Sequence, residues 1–198
     1  MKRPASFALF TSVLFSACAG RGGAAGRSPS TKDDQGLVVC AVVAAVLDSL
    51  MHSGVTGELV FAPASVAYKD GTYLPEFLAQ LQATPGLAES TWSNFMIENA
   101  EPHATCATLP DGRKLTRERW EGGNDPNSWD TFRRRHPNAS GYAKLSGVGI
   151  SASQDQAFVL LMIVYHSNGA VRYHVTVAPR EVGRTWRVIQ IAEENLGT

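Results

Sequence analysis

The chain has 198 residues, with 18 basic and 18 acidic side chains and no net charge. With no basic excess there is nothing to draw nucleic acid electrostatically. Three cysteines without a CxxC spacing argue against a zinc or thioredoxin-like site, so neither cofactor nor metal is expected.

Met1-Lys2-Arg3 is a short basic head, and Phe7 to Phe15 is an apolar run of signal-peptide length, too short to span as a membrane helix. Ser16, Ala17, Cys18 and Ala19-Gly20 follow. Small residues ahead of a cysteine that ends an apolar run resemble the lipobox of bacterial lipoproteins, over Met1 to Gly20. The resemblance implies cleavage before Cys18 and acylation of its thiol and new amine, which makes a membrane the first expected partner. Each buried CH₂ of a lipid chain contributes about 0.8 kcal/mol, so several chains hold a protein on a bilayer. Phe15 departs from the pattern, in which leucine is more common there, although Leu14 is adjacent. Ala19, rather than aspartate, implies sorting to the outer membrane by analogy with enteric bacteria. An ordinary secretory signal is the alternative. Cleavage removes Lys2 and Arg3 and leaves 16 basic against 18 acidic residues.

Residues 1–17 are thus expected as a signal peptide and residues 18–32 as a flexible Gly-, Ala-, Ser- and Arg-rich tether. Residues 33–198 remain as one globular domain, long enough for its own core. Asp33 and Asp34 are N-cap candidates for a helix through Leu37 to Met51, with Gly54 as its stop. Valine pulls toward strand, but the run is long, alanine-rich and free of turn residues, which predicts a buried helix. Its uncharged part is too short for a second membrane span.

Glu58 to Ala62 is a candidate edge strand ended by Pro63. Leu74, Phe77, Leu78 and Leu81 repeat at i, i+3, i+4 and i+7, the mark of a short amphipathic helix. Thr91-Trp92-x-x-Phe95 and Ser128-Trp129-x-x-Phe132 each predict a short helix with an aromatic pair on one face and a hydroxyl residue as cap. Between them, 102–127 reads as a long loop, functional or mobile.

The C-terminal part predicts four consecutive antiparallel strands. Tyr142 to Ile150 enters, with Gly147 and Gly149 signalling a bulge or the close approach of another backbone. Ala157 to Tyr165 is an unbroken apolar run, as in a strand buried on both faces. Asn168-Gly169 predicts a type I′ hairpin turn. Val171, Tyr173, Val175 and Val177 then alternate with Arg172, His174 and Thr176 until Pro179. Thr185 to Ile191 closes the sheet, with Trp186 and Val188 on one side and Ile189 and Ile191 on the other. The expected fold class is α+β, a helical N-terminal half packed on a C-terminal four-stranded antiparallel meander with one extra edge strand.

The segment Trp129-x-x-Phe132, Pro137, Gly141, Leu145-Ser146-x-Val148-Gly149 and Gly183-x-x-Trp186-x-Val188 resembles a family of uncharacterised bacterial secreted or lipoprotein domains. The shared motifs specify fold rather than function. Where family members carry a Cys-Gly-rich loop, this chain has His166-Ser167-Asn168-Gly169 without cysteine, so no role of that loop carries over.

Candidate chemistry is sparse. With Cys18 acylated, Cys40 and Cys106 remain, and an even pair in an exported protein suggests a disulfide; a buried free thiol at Cys40 is the alternative. His166 and His174 flank one hairpin, but an offset of over about 10 Å along the strands, at ~3.3 Å per residue, keeps them from sharing a metal. His52, His103 and His136 are scattered, and no H-E-x-x-H appears. Asp130, His136 and Asp155 could form a triad with a serine only through folding, since no G-x-S-x-G elbow exists. Glu193-Glu194 reads as a solvated end and Arg133-Arg134-Arg135 as a solvated helix face, or one that touches anionic lipid or polysaccharide. Asn138-Ala139-Ser140 matches a glycosylation acceptor, incidental in a bacterial lipoprotein.

These features favour a lipid-anchored, non-enzymatic binding or assembly domain of the cell envelope, with no catalytic residues assigned. The alternative is a cone-like α+β fold with a small-molecule pocket between helices and sheet, and weak hydrolase or isomerase activity.

Overall fold

The structure is a computed structural model and describes residues 32–55, 57–67, 75–120, 126–165, 169–180 and 185–196. The signal peptide, Cys18, most of the tether, Leu74, His166 and Asn168 lie outside the described residues. In chain order come α1 (Lys32–His52), β1 (Glu58–Phe61), α2 (Pro75–Gln82), α3 (Glu89–Glu98), α4 (Pro126–Arg135), β2 (Ala139–Leu145), β3 (Gly149–Ile150), β4 (Ala157–Val164), β5 (Ala170–Pro179) and β6 (Trp186–Asn195).

The class is α+β, but the sheet is mixed and has six strands rather than a four-stranded meander with one extra edge. Its order is β1-β2-β4-β5-β6, with β3 following β2 along the same edge of β4. Glu58 to Phe61 does form the added edge strand, and it runs parallel to β2. The entering strand splits at Ser146 to Val148 for a reason found in α3.

Both faces of the sheet are covered. On one, Val42, Val46 and Leu50 of α1 pack with Ala143, Val159, Leu161, Ile163, Val175 and Val177. On the other, Leu81, Trp92 and Phe95 meet Phe158 and Leu160, and Trp129 and Phe132 meet Val60 and Tyr142. The two Trp-x-x-Phe pairs thus plug into the sheet side by side, one from α3 and one from α4. Phe95 meets Phe158 edge-on at 5.0 Å between ring centres. Residues 157–161 and 163 of β4 are buried, as an unbroken apolar run requires of a central strand.

α3 sits almost directly on the backbone of the entering strand. A Cβ on Gly147 would stand 2.6 Å from the Glu98 carbonyl oxygen, and one on Gly149 would stand 2.6 Å from Phe95 Cα and N. The two glycines therefore mark both things their type suggested, an interrupted ladder and a close approach. The fully buried Asn99 closes the gap. Its Nδ2 donates to the carbonyls of Phe95 (2.7 Å) and Gly147 (3.2 Å), while its Oδ1 accepts from Gly147 N–H at 2.7 Å. That amide stands where a neighbouring strand would otherwise satisfy Gly147. Ser146 Oγ accepts from Leu160 N–H at 2.8 Å and donates to the Gly147 carbonyl. At the other end of α3, the Gln156 amide accepts from Ala88 N–H and donates to the Gly86 carbonyl, both at 2.8 Å. Asn99→Ala is expected to cost about 1–3 kcal/mol, because it strands buried backbone groups; thermal unfolding reads this, and an unchanged midpoint would show the clamp to be idle.

Several local expectations change. α1 begins at Lys32, so Asp33 and Asp34 fall inside it rather than at its cap. Gly54 does end it, at φ +101°, with Val55 N–H bonded to the Leu50 carbonyl. Thr91 lies inside α3, whose cap is Ala88, and Ser128 lies inside α4, which opens on Pro126. The β4–β5 reversal is longer than a two-residue turn: Val164 pairs with Ala170, and Tyr165 N–H donates to the Gly169 carbonyl. Gly169 still supplies positive φ, at +78°.

The closing strand runs on to Asn195, because Glu193 and Glu194 pair in register with Tyr173 and Arg172, with Glu193 exposed as a solvated end requires. A bulge at Ile189, between the pairs Thr176–Gln190 and Val177–Val188, sets Ile191 opposite Val175. Ile191 therefore shares a face with Val188 and Trp186, against the simple alternation expected.

Candidate functional site

The long segment before α4 is built into the fold. Through 102–120, Leu115 N–H donates to the Ala107 carbonyl and Leu109 N–H to the Arg113 carbonyl. Phe61 N–H donates to Thr116 O, and Glu118 N–H donates to Phe61 O, which covers the outer edge of β1. Cys106 is disulfide-bonded to Cys40 of α1, with Cα atoms 5.7 Å apart. Arg113 reaches the same helix, 2.7 Å from Asp48 Oδ1 and 2.5 Å from Asp111 Oδ2.

Where this segment meets the first half of α1 there is a groove of about 780 Å³. Val39, Val43, Leu145, Val148 and the Cys40–Cys106 bond give it apolar walls. Polar groups come from Asn94 and Glu98 of α3, from Ser65, and from His103 and Gln154. Most are already engaged. Asn94 Nδ2 donates to the Ile150 carbonyl at 2.6 Å, and Ser65 Oγ accepts from His103 N–H at 2.9 Å. Glu98 and His103 approach to 3.9 Å at the rim, each about half exposed. The groove thus combines apolar walls with a comparable share of polar lining and one exposed acid–imidazole pair. It lies at the end of the core, whereas the space between α1 and the sheet is filled by side chains.

Nothing in the sequence marked this place, since its walls come from five separate stretches of chain. His103 was visible only as one of several scattered histidines. Among the described residues, no three His, Cys, Asp or Glu side chains gather as a metal site would need.

His136 and Asp155 have separate partners. Asp130 is exposed on α4. His136 Nε2 is 2.5 Å from Glu118 Oε2, and Arg135 pairs with the same carboxylate, which ties the end of α4 to the edge segment. Asp155 Oδ1 accepts from Ser151 Oγ and Ser153 Oγ, both at 2.6 Å, and those hydroxyls hold its carboxyl below the usual range. Arg133, Arg134 and Arg135 form the exposed last turn of α4, where cations complement the helix dipole.

His174 points to the α2 side of the sheet. Its Nε2 is 3.5 Å from Glu194 Oε2, and its ring meets Phe77 edge-on at 5.7 Å. Arg172 lies over the same Phe77 ring at 4.2 Å and bonds Glu194 at 3.0 Å. Burial pushes the His174 imidazole below its ordinary value of 6.5, outweighing the attraction of Glu194. The unfolded chain therefore binds this proton more readily than the folded one. Stability is full above the unfolded value and falls as pH drops through it toward the folded value. His174→Gln is expected to flatten that part of a stability-against-pH curve between pH 7 and 5; a variant that tracks wild type across the window would remove His174 as its source.

No family model, curated protein or solved structure matches this chain.

Proposed function

We propose that the chain is a lipid-anchored, non-enzymatic binding domain of a bacterial cell envelope, held at Cys18 and of the secreted or lipoprotein domain type that its C-terminal motifs resemble. The observation that carries the reading is the Cys40–Cys106 disulfide, which joins α1 to the edge segment. Such structural bonds persist outside the reducing cytosol. The lipobox-like run ahead of Cys18 supplies the address, and the groove beside the disulfide supplies the binding place. Its size falls in the range of small-ligand pockets, roughly 300–1,000 Å³, and its apolar walls with engaged polar groups suit an uncharged, partly apolar ligand.

Cys18→Ser is expected to abolish flotation of the full chain with membranes while its circular dichroism and unfolding midpoint stay those of wild type. A variant that still floats would remove Cys18 as the anchor.

A further inference from the structure

α1 has two faces, and both are apolar. Val39, Val42, Val43, Val46 and Leu50 turn to the sheet. Leu37, Ala41, Ala44, Asp48 and Met51 recur at i, i+4, i+7, i+11 and i+14, which places them along the opposite side. A helix on the surface of a soluble domain normally carries polar side chains there. Here Leu37 is 66% exposed and Met51 is 59% exposed, the two alanines are half-buried, and Asp48 is paired with Arg113. By length and composition Gln35–His52 could cross a membrane, yet only 28% of it is buried. Its disulfide and its valines in the core fix it to the sheet, so it lies on the domain with Leu37 and Met51 of its outer side exposed and Asp48 between them held by Arg113.

We propose that this outer side of α1 rests on the surface of the bilayer. The inference builds on the anchor at Cys18, and the chain's own length favours that occupant. Only thirteen residues separate Cys18 from Lys32, a span of at most roughly 50 Å when fully extended. An acylated Cys18 therefore keeps the first turn of α1 close to lipid, at a high effective concentration. Leu37 stands at that near end. Apolar side chains of an interfacial helix sink about 5–10 Å into the boundary between headgroups and acyl chains. The domain would then stand in one orientation on the membrane.

The test uses the full acylated chain in vesicles of phosphatidylethanolamine and phosphatidylglycerol. Single thiols are introduced as Leu37→Cys, Met51→Cys or, on exposed α3, Ser93→Cys, and labelled with an environment-sensitive dye; the native pair is already oxidised. Lipid-borne spin quenchers are expected to quench the dye several-fold more at 37 and 51 than at 93. Equal quenching at all three, on a chain whose N-terminal peptide mass shows acylation, would overturn the placement of α1 and leave the anchor standing. A peptide mass without acyl chains would overturn both. Low quenching with energy transfer between dyes on two molecules would give the outer side of α1 to a second copy and also overturn the proposal.

Discussion

Gly149→Ala is expected to unfold the domain well below the wild-type midpoint. The added Cβ would stand 2.6 Å from both Cα and N of Phe95, closer than such atoms approach. The obstacle is backbone, so trimming the Phe95 ring gives no relief, and α3 must lift off the sheet. Lifting it disturbs the stacking on Phe158 and the Asn99 clamp together. Overpacking of this kind costs about 3 kcal/mol, which lowers the midpoint of a domain this size by roughly 6–12 °C. Gly36→Ala is the control. Nothing lies within 4 Å of its added Cβ and it sits in α1, so it should be neutral or stabilise by up to about 1 kcal/mol. Equal effects of the two substitutions would show that the approach of α3 does not constrain residue 149.

Cys40→Ser, or Cys106→Ser, is expected to have an effect of similar size through the unfolded state. The bond joins residues 66 apart, and opening a loop of that length costs about 4 kcal/mol in the chain-entropy model. Reducing the wild-type chain should give the same loss, and reductant should then do nothing further to either variant. Scanning calorimetry of the three chains with and without reductant reads all six cases. A wild-type midpoint indifferent to reductant would mean that the bond adds nothing to stability.

Much of this fold was legible because its signals are local. The buried β4 follows from its unbroken apolar run, the end of α1 from Gly54, and the covering of one sheet face from two Trp-x-x-Phe helices. What escaped depends on partners far along the chain. Gly147 and Gly149 announced that something comes close, but Asn99 and Phe95, which come close, lie about fifty residues earlier. Glu193-Glu194 read as a solvated end, and Glu193 is exposed, but the β5 ladder and the Arg172–Glu194 pair make both part of the sheet edge. The segment 102–120 showed no alternation because its order comes from a disulfide, an ion pair to α1 and isolated bridges to β1. The groove escaped for the same reason, since α1, α3 and the three stretches that complete it share no periodic pattern.

A lipid on Cys18 is the point on which the placement of this domain depends. The most direct measurement is to feed cells that express the full chain an alkyne-tagged fatty acid, then couple the tag to a dye and separate the proteins. The account predicts a labelled wild-type band that fractionates with the envelope, and an unlabelled Cys18→Ser band. A wild-type chain that stays unlabelled and appears in the soluble fraction would contradict it.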